Sequence, residues 1–278
     1  MTLNKFYIDS IIKTAIEEDI NYIDVSADML IPENQRNDSY FVAKDDGVLC
    51  GLDCAMRVFT LLDDTFTFTA LKKDGDLINK GDIIAEFNGK TRELLKGERT
   101  ALNIIQHMSG IATATNKAVK LCEGTGAQVA DTRKTLPGLR AMQKYAVFCG
   151  GGRNHRFNLS DGAMLKDNHI DACGGIIPAV ELLRSKLGHM VKIEVETRDF
   201  EEVRQAIQAG ADVIMLDNMN CEQMAEAVKI IDGKALTEAS GNITLENIAE
   251  VAKTGVDIIS LGALTHSVKA FDISMKMK

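Results

Sequence analysis

The sequence predicts an α/β protein in two parts: an N-terminal α+β module, then a barrel of parallel βα units in which only six strands can be counted. Three observations predict it. Between residues 38 and 90, short strand-like runs are broken by turns such as Asp45-Asp46-Gly47 and Asn79-Lys80-Gly81-Asp82. From about residue 125, short apolar runs alternate with stretches of helical period. The last of these strand-to-strand intervals are each about 22 residues, the rhythm of repeated βα units. An open doubly wound sheet is the alternative for the second part.

Taken in order, residues 5–19 read as a helix, and the strand-like region follows. A second helix carries apolar positions Leu94, Leu95, Ala101, Leu102, Ile105 and Met108, spaced to lie on one face. The strands of the second part are expected at 128–131, 162–166, 191–196, 212–217, 235–239 and 256–261, with helices at 200–209, 222–231 and 245–253. Thr244 is placed to cap the last of these. The expected division is 1–110 and 111–278, with the final residues packing back on the first part.

The chain has 278 residues, is 45% hydrophobic and 26% charged, and carries a formal charge of −8. Such a balance argues against nucleic acid as a bulk partner. No apolar run approaches the roughly 20 residues that span a bilayer, and the opening segment does not read as a secretion signal. The six cysteines contain no CxxC pair, which fits a reducing cytoplasm and offers no zinc-site spacing.

Against this acidic background, Arg133 to Lys166 holds seven Lys or Arg residues and one acid, Asp161. A small, multiply charged anion is the simplest partner for such an island. The Gly150-Gly151-Gly152 run lacks the GxGxxG spacing of a dinucleotide site. Beside Arg153, His155 and Arg156 it is expected to form a loop wrapping an anion. Lys192, Glu194 and Glu196 alternate along one strand, so all three face one side, the lumen of a barrel. Asp217 ends the next strand. Glu196 and Asp217 on neighbouring strand ends suit Mg²⁺ or ribose hydroxyls, and a buried ion-pair network with Lys192 and Lys166 is the plainer alternative. Ser240-Gly241-Asn242 and Leu261-Gly262-Ala263 follow the last two strands, where barrels commonly cradle phosphate.

Several strings, in this order, resemble one family. They are Glu98-Arg99-Thr100-Ala101-Leu102-Asn103, Asp131-Thr132-Arg133-Lys134-Thr135, the stretch 150–169 ending Lys166-Asp167-Asn168-His169, Ile193-Glu194-Val195-Glu196, Met215-Leu216-Asp217-Asn218-Met219 and Glu238-Ala239-Ser240-Gly241-Asn242-Ile243. The family is quinolinate phosphoribosyltransferase, and the match spans nearly the whole chain. The resemblance implies an N-terminal α/β sandwich, a C-terminal open α/β barrel and a homodimer with shared active sites. It implies that quinolinate and phosphoribosyl pyrophosphate, with Mg²⁺, give nicotinate mononucleotide, pyrophosphate and CO₂ in NAD biosynthesis.

By the same resemblance, Thr132 binds substrate, and Arg133, His155, Arg156 and Lys166 grip the quinolinate carboxylates. Arg99 reaches in from the partner subunit. Lys134 and Lys166 face phosphate, Glu196 and Asp217 contact ribose and Mg²⁺, and Ser240, Gly241, Asn242, Leu261, Gly262 and Ala263 cradle phosphates. Lys134, Lys166, Glu196 and Asp217 are the expected catalytic residues. Phe148 stands where many members carry a basic residue, and Asn242 where a third small residue is common. A paralogue associated with molybdenum transport and a nicotinate phosphoribosyltransferase are neighbouring alternatives. A Schiff-base aldolase acting through Lys166 and an inactive phosphate-binding barrel are remoter ones.

Overall fold

The computed structural model describes residues 2–278. Its strands are β1 Arg36–Ala43, β2 Gly47–Val48, β3 Thr67–Ala70, β4 Leu77–Ile78, β5 Ile83–Lys90, β6 Gln128–Ala130, β7 Ala163–Leu165, β8 Ile193–Thr197, β9 Val213–Asp217, β10 Leu236–Ser240, β11 Ile258–Ser260 and β12 Ile273–Met277. Two compact units divide the chain. The first comprises residues up to Asn116, Thr135–Gly151 and Leu264–Lys278; the second comprises Lys117–Lys134 and Gly152–Ala263.

In the first unit an antiparallel sheet runs in the order β12-β1-β5-β3. The alternation of Ser39, Phe41 and Ala43 on β1 turns every second side chain inward, as the period of a half-buried strand requires. The final strand pairs with β1 from Ser39↔Met277 to Ala43↔Ile273. A helix over Leu52–Leu62 lies on this sheet, its Phe59 ring 5.4 Å from Phe87 and 6.2 Å from Phe41. The sequence pattern predicts only strands in this region. The helix is started by a distant group, since Leu52 N–H donates to Asp74 Oδ1 at 3.0 Å, and no local pattern reveals such a cap.

The helix expected after residue 90 runs over Thr91–Leu121 without a break at 110. Leu94, Ala101, Leu102, Ile105 and Met108 are buried as its spacing implies, whereas Leu95 is exposed. Another helix, Arg140–Cys149, takes Arg140 and the fully buried Lys144 out of the cationic island and into the first unit. Gly150 and Gly151, which follow, are fixed by packing and backbone conformation. A β-carbon on Gly150 would lie 2.4 Å from Ala112 O, and Gly151 ends the helix at φ 93°. These glycines serve close packing and chain reversal.

In the second unit six parallel strands run β6-β11-β10-β9-β8-β7, at the six expected places. From β7 to β11 each strand pairs with its successor, with no reversal, which excludes the doubly wound alternative. β6 and β7 are the two edges, so the barrel is open between them. Arg153 bridges to Ala130 at the β6 edge. Ile193, Val195 and Thr197 on β8 are fully buried, and Glu194 and Glu196 alternate with them. The last predicted helix is short, Ile248–Ala252, and Thr244 instead holds the turn before it by accepting Glu246 N–H on Oγ1. Among the described residues no helix is long and apolar enough to cross a membrane.

Candidate active site

The carboxyl ends of the parallel strands enclose a cavity of about 560 Å³. Thr132, Arg133 and Lys134 enter it from the loop after β6, and Lys166, Glu196, Asp217 and Ser240 from the ends of β7, β8, β9 and β10. His155, Arg156, Gly241 and Asn242 complete the predicted set that lines it. Arg153 lines a second cavity at the opposite ends of the strands, with Lys192 and Gln128. The cationic island is therefore divided, and Arg133, Lys134, Arg156 and Lys166 are its share of the first cavity.

The loop carrying His155 and Arg156 is pinned by buried Asp131. Its Oδ1 accepts the His155 N–H at 2.9 Å, and its Oδ2 accepts the Asn154 side-chain amide at 2.6 Å. Arg156 N–H then donates to His155 Nδ1 at 2.7 Å. That bond places the ring proton on Nε2, which faces Glu194 Oε2 at 3.1 Å and Glu238 Oε2 at 3.5 Å. Both ring nitrogens are thus engaged within the protein, where His155 joins Glu194 and Glu238 while also lining the cavity. Burial, then the charge of Glu194, pushes Glu238 up to about 7.

Arg156 is half-buried. Its guanidinium donates to Gly162 O at 2.9 Å, and its pKa is lowered by burial and by the like charge of Arg133, with Glu194 opposing. Arg133 and Arg156 both line the cavity, so their like charges lie close to one another. On the other side of the cavity Lys166 Nζ meets Glu196 Oε2 at 3.4 Å. Lys166 is half-exposed and ion-paired, unlike the desolvated amine that Schiff-base chemistry uses.

Asn218, which no sequence motif marks as a site residue, organises the phosphate-side loops. Its Nδ2 donates to Asp217 Oδ2 at 2.7 Å, its Oδ1 accepts Asn242 Nδ2 at 2.9 Å, and its N–H reaches Ser240 O at 3.0 Å. Gly241 passes so close that a β-carbon there would meet Asn218 Oδ1 at 2.3 Å. Asn218 and Asn242 both adopt positive φ, at 55° and 52°, which Asn tolerates better than other side chains. This accounts for Asn242 where a small residue was expected. Glu238, Ser260 and Met164 also line the cavity without having been singled out.

Leu261, Gly262 and Ala263 do not line it. Leu261 is buried and its N–H donates to Ala130 O at 2.9 Å, so that amide serves the barrel. Arg99, a residue of the first unit, is exposed on the helix Thr91–Leu121 and does not line this cavity either.

Comparison with known proteins places these residues in context. The family models for the N-terminal and C-terminal domains of quinolinate phosphoribosyl transferase match residues 24–109 and 111–276. A Bacillus subtilis protein named probable nicotinate-nucleotide pyrophosphorylase (carboxylating) is 46% identical over 273 residues, covering 98% of this chain and 94% of its own. Tobacco quinolinate phosphoribosyltransferase (decarboxylating) 2b, mitochondrial, is 40% identical over 291 residues, covering 97% of this chain and 82% of its own. The solved structure of the nicotinate-nucleotide pyrophosphorylase from Francisella tularensis superposes with a TM-score of 0.96 at 41% identity, covering 100% of this chain and 98% of that one.

Proposed function

The chain belongs to the quinolinate phosphoribosyltransferase family, and from that premise we propose that it transfers the phosphoribosyl group of phosphoribosyl pyrophosphate to quinolinate with loss of CO₂, giving nicotinate mononucleotide for NAD biosynthesis. The observation that carries the reading is the division of charge in one cavity. Arg133 and Arg156 stand together on one side, and the acids Glu196 and Asp217 end adjacent strands on the other. A dicarboxylate fits the first group, since Arg binds carboxylates through paired N–H donors. A ribose ring gaining positive charge fits the second.

In this reading Arg133 and Arg156 hold the quinolinate carboxylates, with Lys166 at the boundary between ring and phosphate. Lys134 and the loop Ser240-Gly241-Asn242 hold the phosphates, and Thr132 contacts substrate beside them. The pyridine nitrogen forms a bond to the anomeric carbon as the carbon–oxygen bond to pyrophosphate breaks. Glu196 and Asp217 stabilise the oxocarbenium-like transition state, and Lys134 offsets charge on the leaving group. The ring is then a pyridinium. When the bond to the 2-carboxylate breaks, its electron pair is taken up by the ring, a proton replaces CO₂, and no organic electron sink is required.

The residues fit a hard divalent cation. Glu196 and Asp217 present carboxylate oxygens at neighbouring strand ends lining the same cavity, the donor type that Mg²⁺ prefers. When bound, Mg²⁺ would supply charge neutralisation at the pyrophosphate. Arg99 is read as acting on the cavity of a second copy in a homodimer; its exposure and its absence from this chain's own cavity support that. A cytoplasmic location is supported by six free cysteines.

The test is a choice of acceptor. With phosphoribosyl pyrophosphate and Mg²⁺, quinolinate should be consumed and nicotinate left largely untouched, and preference for nicotinate would overturn the reading.

A further inference from the structure

The first unit holds a cluster that the transferase reading does not use. Cys50 precedes the helix Leu52–Leu62, Asp74 lies in the turn between β3 and β4, and Cys149 ends the helix Arg140–Cys149. One ligand atom from each, the two Sγ atoms and a carboxylate oxygen, lie within 4.8 Å of one another. We propose that these three residues bind one thiophilic divalent cation, with Zn²⁺ as the representative ion.

The geometry is close to what such an ion requires. In tetrahedral zinc sites, Zn–S and Zn–O distances of about 2.3 and 2.1 Å set ligand atoms roughly 3.6 Å apart, so small side-chain rotations complete the site. The backbone around it is fixed. Ser109 Oγ accepts Cys50 N–H at 3.0 Å and donates to Cys50 O at 3.1 Å. Asp74 Oδ1 accepts the Leu52 N–H at 3.0 Å, which fixes the carboxylate at the start of the helix. The Tyr145 hydroxyl hydrogen-bonds both Asp74 and Cys149.

Solvent reaches the cluster, because Asp74 and Tyr145 also line a cavity of about 670 Å³ with Asp9 and Asp53. The absence of a CxxC pair hides such a site from the sequence, because its ligands come from three separate elements. On binding, the metal replaces two thiol protons, which leave to solvent. The metal keeps its oxidation state, and two metal–sulfur bonds and one metal–oxygen bond form.

Titration of the reduced full-length chain with Co²⁺ tests this. One equivalent should give a thiolate-to-cobalt charge-transfer band in the near ultraviolet that Zn²⁺ displaces. Cys50→Ser and Cys149→Ser should each abolish it, Asp74→Asn should weaken affinity about tenfold or more, and the double variant Cys173→Ser, Cys221→Ser should retain it. Because the buried substitutions can impair folding, the unsubstituted chain provides a second readout: Zn²⁺ should slow alkylation of Cys149 and leave exposed Cys173 unprotected. No band, a band that survives loss of either buried thiol, unchanged affinity in Asp74→Asn, or equal alkylation of Cys149 with and without Zn²⁺ would each overturn the site.

Discussion

His155 Nε2 lies 3.1 Å from Glu194 Oε2, while its Nδ1 accepts the main-chain N–H of Arg156, so one imidazole links the buried acids to the backbone of a cavity-lining arginine. The same ring faces Glu238, whose carboxyl rises from its ordinary 4.5 to about 7. The folded chain keeps this proton between pH 4.5 and about 7, where the unfolded chain has lost it. Stability therefore falls as pH rises through that window, by roughly 3 kcal/mol in all. Glu238→Gln should remove this part of the slope. Urea unfolding of parent and variant from pH 4.5 to 8 checks it: the parent should lose stability relative to the variant, and parallel curves would contradict the assignment.

Arg156 and Arg133 are expected to act on the dicarboxylate more than on the phosphates. Arg156→Ala should lower kcat/KM for quinolinate by about two orders of magnitude or more, as loss of one member of a buried charge pair does. Arg156→Lys should recover little of this, since a point charge does not reproduce the paired donors. The KM for phosphoribosyl pyrophosphate should change far less in both, which steady-state kinetics with each substrate varied in turn would show.

Gly241→Ala places a methyl group against Asn218 Oδ1 at a residue with φ 91°. The expected cost is about 1–3 kcal/mol of local strain. Because the strain falls on the phosphate-side loop, the KM for phosphoribosyl pyrophosphate should rise while that for quinolinate holds. Asn218→Ala alone should also raise the KM for phosphoribosyl pyrophosphate, because it releases Asp217 and Asn242.

Much of this arrangement was legible in the sequence, for physical reasons that can be named. The strands of the second unit were visible because buried parallel strands are short apolar runs, and because Glu194 and Glu196 interrupt β8 with the period of two that marks a lumen. Lys166, Glu196, Asp217 and Ser240 were legible as polar residues ending such runs. The helix Leu52–Leu62 was not, since its start depends on Asp74, 22 residues away. Neither was the role of Asn218, whose meaning lies in contacts with Gly241 and Asn242 on a neighbouring strand's loop. The cationic island was read as one pocket; a helix removes Arg140 and Lys144 from it, and period-two counting does not see that.

The shared-site proposal is checked by mixing. Arg99→Ala and Lys134→Ala should each be nearly inactive alone. After subunit exchange, heterodimers should regain part of the parent activity, because one of their two cavities then has both residues intact. Exchange confirmed by mass spectrometry without recovered activity would contradict a contribution of Arg99 across an interface.

The central claim is that one cavity couples ribosyl transfer to decarboxylation, and product stoichiometry tests it most directly. Supplied with quinolinate labelled in its 2-carboxylate, phosphoribosyl pyrophosphate and Mg²⁺, the protein should release labelled CO₂ and pyrophosphate in equal amounts as nicotinate mononucleotide accumulates. Pyrophosphate released without CO₂, or no release of either from quinolinate while nicotinate is turned over, would contradict it.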